Sequence, residues 1–99
     1  MTNELNPANP ARVRAPVVDE TLATAIAAHL RGAAQPDLRQ AVGGFVARAK
    51  LTLTPPQDVI ASLKANVQRE AQPHMAASEF PGLVQLVVGW GIEEYYREG

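Results

Sequence analysis

Apolar residues recur along this chain in four separate stretches, each at the three- and four-residue spacing of a helix face. The first comprises Val18, Leu22, Ala25, Ile26, His29 and Leu30 and predicts a helix over 18–31. Asp19 and Glu20 suit its first turn, Arg31 its last, and Gly32 its left-handed stop. The second stretch, Leu38, Val42, Phe45, Val46 and Ala49, predicts a helix over 36–50 that opens at Pro36 and Asp37. Gly43-Gly44 interrupts it, and each glycine costs ~1 kcal/mol relative to Ala. Either two short helices meet there, or one helix runs through with a neighbour packed closely. The stripe keeps its phase across the pair, which favours the single helix.

The third stretch is Val59, Ile60, Leu63 and Val67, with Asp58, Ser62, Lys64, Ala65, Gln68 and Arg69 outside it. Thr54-Pro55-Pro56-Gln57 reads as its capping box, so the predicted helix spans 55–71 and stops before Pro73. Residues 73–80 form a connector, and Pro81 opens a last helix over 81–97. This final segment holds the only Trp and both Tyr. Leu83, Leu86, Val87 and Trp90 form one arc, which Val84, Val88, Ile92 and Tyr95 widen to roughly 240°, against the ~100° a helix needs to lie on a core. Such a helix is either wrapped by its own chain or partly kept for another. Its Val content also suits a strand, but the only other extended stretch, Leu51-Thr52-Leu53, is too short to build a sheet.

The expected fold class is therefore all-α: a small bundle of about four helices over 17–99, after a disordered N-terminal arm over 1–16. Three Pro and three Asn fall in that arm. The last helix is expected to lie centrally, against the stripes of the other three. Composition makes the core thin. The apolar fraction is 46%, yet 17 of those residues are Ala, and Leu, Ile, Val and Phe number only 24. A domain this small is usually marginal without a partner, metal or disulfide.

Charge adds little. The chain carries a net −1, with +2 in residues 1–50 and −3 in 51–99, too even a split for a nucleic-acid or membrane face. No Cys is present, which removes disulfides and thiolate metal sites and fits a reducing compartment. The first residues show neither a basic n-region nor an apolar h-region. The longest apolar run, Leu83 to Ile92, falls well short of the ~20 residues that span a bilayer. A cytoplasmic protein without a membrane or nucleic-acid partner is expected.

Candidate chemistry is sparse. The only Ser are Ser62 and Ser78 and the only His are His29 and His74, with no nucleophile turn around either Ser. Glu70, His74 and Ser78 would align on a continuous helix, but Pro73 breaks it. Glu93 and Glu94 point about 100° apart on a helix and do not share a site. No catalytic, cofactor or metal residue is expected. His29, on an apolar stripe, is expected to be neutral and half-buried, with one nitrogen bonded to a carbonyl or to Glu79; the alternative is a pH-responsive packing position.

The twenty residues from Phe45 to Lys64 combine an Ala-rich helix, a short Leu-containing turn, a Thr-Pro start and a second helix with a Val four or five positions on. This segment resembles a bacterial helix-turn-helix, and the resemblance implies a DNA-binding regulator that uses residues 45–64. It departs from that family in a turn without Gly and a second helix whose Gln57, Asp58, Ala61, Ser62 and Ala65 accompany one cation, Lys64. The first expectation is instead a non-catalytic interaction module or adaptor. It would bind a protein partner, or a second copy in a homo-oligomer, through Leu83, Leu86, Val87, Trp90, Ile92, Tyr95 and Tyr96.

Overall fold

The computed structural model describes residues 16–97, so the expected loose arm over 1–16 lies outside the described residues apart from Pro16. Among the described residues there are four α-helices and no strand: α1 (Glu20–Leu30), α2 (Gln35–Leu51), α3 (Pro56–Ala71) and α4 (Phe80–Tyr96). A single 3-10 turn, Gln72–His74, links α3 to the connector before α4. The all-α expectation holds, and the valine-rich last segment is helical.

Helix α1 begins where its sequence supplies a cap. Asp19 is the N-cap residue, and its Oδ1 accepts the Leu22 N–H at 2.9 Å. Its Oδ2 pairs with the Arg48 guanidinium of α2 at 2.8 Å. Burial pushes the Asp19 carboxyl up, but hydrogen bonds from the Leu22 N–H and Arg48, the charge of Arg48, and the Thr21 N–H outweigh it and hold the group below its ordinary value. Val18, expected on the helix face, precedes the helix and is exposed. The helix ends at Gly32, whose φ is 105°. There the Gly32 N–H reaches the His29 carbonyl and the Ala33 N–H reaches that of Ala28, the paired bonds of a Schellman stop.

Helix α2 runs unbroken through Gly43-Gly44. A Cβ on Gly43 would stand at ordinary contact distance, 3.6 Å, from a carboxylate oxygen of Glu94 on α4. The same stop motif closes α2: the Leu53 N–H bonds the Lys50 carbonyl and the Thr54 N–H that of Ala49. Here the left-handed position is filled by Leu53, with φ at 59°.

The expected capping box of the third helix does not form. Pro55 is the N-cap residue, and no side chain caps α3. The Thr54 hydroxyl lies 3.0 Å from that of Thr52 instead. The helix starts one residue later than the box requires: the Asp58 and Val59 N–H groups bond the Pro55 carbonyl, so Pro55, which has no side-chain acceptor, stands at the N-cap position.

Twelve buried apolar residues make one core: Leu22 and Ile26 of α1, Leu38, Val42, Phe45 and Val46 of α2, Val59, Leu63, Val67 and Ala71 of α3, and Leu83 and Val87 of α4. Helices α1 and α4 each pack across both α2 and α3. Helix α4 is thus not central against all three others, as expected; α2 and α3 stand between it and α1. On the α1 side of α3, Ser62 and Asn66 are buried although their polarity places them outside the apolar stripe. Ser62 Oγ accepts the Val17 N–H at 2.9 Å. Asn66 accepts the Asp19 N–H at 3.2 Å and donates to the Val17 carbonyl at 2.8 Å and the Ser62 carbonyl at 2.7 Å. These bonds strap the extended residues before α1 onto α3, and a buried amide is tolerated because its donors and acceptor are matched.

Candidate functional site

Helix α4 begins with Pro81 in its first turn and presents three kinds of surface. Leu83, Val87 and Gly91 point into the core. A Cβ on Gly91 would collide with a methyl of Leu63, which would have to shift to admit it. Leu86, Trp90 and Tyr95 are half-buried along the two edges. The outer face carries Gly82, Gln85, Gly89, Ile92, Glu93 and Tyr96, all exposed.

The seven residues expected to bind a partner are therefore divided. Leu83 and Val87 are used inside the chain, so they belong to the core that supports the surface. Trp90 packs against that core, with the Arg39 guanidinium 5.8 Å from its ring centroid. Arg39 also pairs with Glu93 at 2.7 Å. Both partners of that pair are more than half exposed, so its net contribution is under ~1 kcal/mol. The Tyr95 hydroxyl donates to the Thr54 carbonyl at 2.9 Å, and Lys50 Nζ lies 5.8 Å from the Tyr95 ring. Tyr96 stacks edge-on against Tyr95 at 5.2 Å between ring centroids. Ile92 and Tyr96 remain in solvent, 41% and 65% exposed.

The Tyr95 bond ties the α2–α3 turn to the end of α4, and that turn carries two further exposed leucines. Leu51 is 84% and Leu53 86% exposed. Neither was among the expected binding residues. Their alternation around Thr52 was visible in the sequence, but only the turn geometry shows both leaving the core. Leu51 and Leu53 flank the turn that the Tyr95 bond ties to the end of α4, where Ile92 and Tyr96 are exposed. Between the start of α3 and the end of α4 a shallow seam of about 10 Å³, lined by Pro56, Ile60 and Tyr95 among others, adjoins Ile92 and Tyr96.

Glu70, His74 and Glu79 line an open hollow of about 510 Å³, together with Arg31. No group of three potential metal ligands converges among the described residues. The break at Pro73 is real, because Met75 beyond the 3-10 turn is extended. Glu93 and Glu94 diverge as expected, one to Arg39 and the other over Gly43. His29 departs from its expected bonding: its Nδ1 is buried with no hydrogen-bond partner.

In the segment that resembles a helix-turn-helix, the turn without Gly does take a left-handed residue, Leu53. The outward residues of α3 are Gln57, Ala61, Lys64, Gln68 and Arg69, of which only two are cationic. Among the described residues no helix is long and apolar enough to cross a membrane. No protein-family model matches the chain, and no curated protein and no solved structure matches it either.

Proposed function

We propose that this chain is a non-catalytic interaction module whose contact surface is the end built by the α2–α3 turn and the outer face of α4. The observation that carries the reading is Leu53. A leucine in the left-handed region costs roughly 1–2 kcal/mol relative to glycine, and burial normally repays such strain. Leu53 is 86% exposed and receives no such return within the chain. Contact with another protein accounts for both the strain and the exposure. Leu51, Ile92 and Tyr96 supply the rest of an apolar patch, and Tyr is among the residues enriched in such contacts.

The edges are rigid where the patch needs support. Trp90 and Tyr95 are half-buried, and the Tyr95–Thr54 bond holds the turn against α4. The test is a photoreactive side chain placed at position 96 or 53 in the full chain, with position 68 on the remote face of α3 as control. Discrete protein adducts from 96 and 53, and none from 68, support the reading. Absence of adducts from both patch positions overturns it.

A further inference from the structure

The extended residues before α1 run along α3 in step with it. Asn66 holds the Asp19 N–H, and Ser62, one helical turn back, holds the Val17 N–H two residues earlier. The lengths match, because four helix residues rise about 6 Å and two extended residues about 6.6 Å. In an extended chain, alternate residues turn their N–H and C=O groups to the same side and their side chains to the same face. Both consequences are visible here. The Val17 N–H and C=O each bond α3, at Ser62 and Asn66. The side chains of Asp19 and Val17 meet α2: Asp19 pairs with Arg48, and Val17 lines a cavity of about 240 Å³ with Phe45 and Ala49. Val18, between them, is exposed.

The next turn of α3 repeats the arrangement. Asp58 precedes Ser62 by four residues, as Ser62 precedes Asn66, so the three side-chain acceptors share one face at one-turn intervals. The cavity extends the same way, past Val59 to Thr52 and Thr54 of the α2–α3 turn. The sequence before Val17 alternates to match, with Ala11, Val13 and Ala15 set between Arg12, Arg14 and Pro16. Pro16 has no N–H, and it falls at a position whose N–H would point away from α3.

We infer that the chain before Pro16 continues along this path and covers the cavity, with the Ala15 N–H on the Asp58 carboxylate and the Val13 side chain between the end of α2 and the start of α3. This site is separate from the contact surface proposed above, and its occupant is the chain's own residues 13–15. At about 3.3 Å per residue, Val13 lies about 13 Å before Val17. That carries it beyond the start of α3 at Pro56, about 9 Å from Ser62, to the Thr52–Thr54 rim. A cavity several times the ~30 Å³ share of one water, walled by Phe45, Ala49 and Val59, gains from an aliphatic cover. Arg12 and Arg14, on the opposite face, stay in solvent and flank the Asp58 carboxylate with opposite charge. No arginine of this segment enters the cavity, where Arg48 is already engaged by Asp19.

Amide hydrogen exchange in the full chain tests the path. The Ala15 N–H should exchange at least roughly tenfold more slowly than in a flexible peptide, and the Arg14 N–H at the peptide rate. Asp58→Ala should return Ala15 to the peptide rate while Val17, held by Ser62, stays slow. Asp58→Asn keeps an acceptor and should retain the protection. The chain has no cysteine, so an introduced thiol is unique. Val13→Cys should react with a small maleimide at least roughly fivefold more slowly than Arg14→Cys. That comparison leaves Asp58 in place and decides the matter even if Asp58→Ala does not fold. Free exchange at Ala15, protection indifferent to Asp58→Ala, or equal reactivity at positions 13 and 14 each overturns the inference. Protection that rises with protein concentration would place the segment in a second copy's cavity and overturns it as well. None of these readings depends on adducts at positions 53 and 96, so the two proposals fail separately.

Discussion

Helices α1 and α2 end on the same pair of hydrogen bonds, yet one stop is built on Gly32 and the other on Leu53. At Gly32 a Cβ would meet nothing, so glycine is there for its backbone alone, in the left-handed region that other residues enter at a cost. At Leu53 a left-handed φ of 59° falls on a large side chain that is left exposed. The neighbouring helix starts differ in the same sense. Asp19 caps α1 with its own carboxylate, whereas α3 begins on Pro55 with no side-chain cap. The α1 joints follow local preference; the α2–α3 joint departs from it in its left-handed leucine, while its uncapped start is shared by α2 and α4. Local preference is given up at the joint where exposed apolar side chains sit, the joint that the proposed contact surface includes.

The largest expected effect concerns the strap that holds the start of α1. Asn66→Ala removes three hydrogen bonds and leaves the Val17 carbonyl and the Asp19 N–H short of partners; a loss of about 2–3 kcal/mol is expected in urea melts. An unchanged midpoint would mean that α1 is positioned by its apolar face alone. Next comes the stop of α1. Gly32→Leu recreates at this end the strain of Leu53 and should cost about 1–2 kcal/mol, read by the same melts.

Two changes of about 1 kcal/mol follow, opposite in sign. Asp19→Ala removes the α1 cap and should destabilise by about 1 kcal/mol. Its pH dependence has a definite sign. A carboxyl held below its ordinary value in the folded chain contributes stability above the unfolded value, near 3.9, and loses it as pH falls through the lowered one. Asp19→Asn should therefore flatten the acid limb of the stability profile below about pH 4, with no change in slope above it. Leu53→Gly should stabilise the isolated chain by up to ~1 kcal/mol, net of the glycine's greater freedom when unfolded, while weakening partner contact. Equal or lower stability in that variant would show that Leu53 is supported within the chain, and the comparison of the two stops would collapse. The smallest effect is Thr54→Ala, within about 0.5 kcal/mol, because the Thr54 hydroxyl bonds only the Thr52 hydroxyl at the surface. A loss near 1 kcal/mol would restore Thr54 as the cap of α3.

Periodicity and local chemistry determined the four helices, the stop at Gly32, the break at Pro73 and most of the core, from Leu22 to Val87. Each is set by contacts within a few residues or by a one-sided apolar stripe, and both are written in the order of side chains. Other features depended on where distant backbone came to lie. Ser62 and Asn66 are polar, and only the extended backbone of Val17–Asp19, more than forty positions away, makes their burial favourable. The wide apolar arc of α4 did not say which of its sides would be covered; the placement of α2 and α3 assigned Leu83 and Val87 to the core and left Ile92 and Tyr96 outside. Leu51 and Leu53 looked like ordinary apolar residues until the end of α2 and the left-handed turn after it left both exposed. Which groups face solvent is settled by the meeting of elements far apart in the chain, and a reading of local spacing has no access to that.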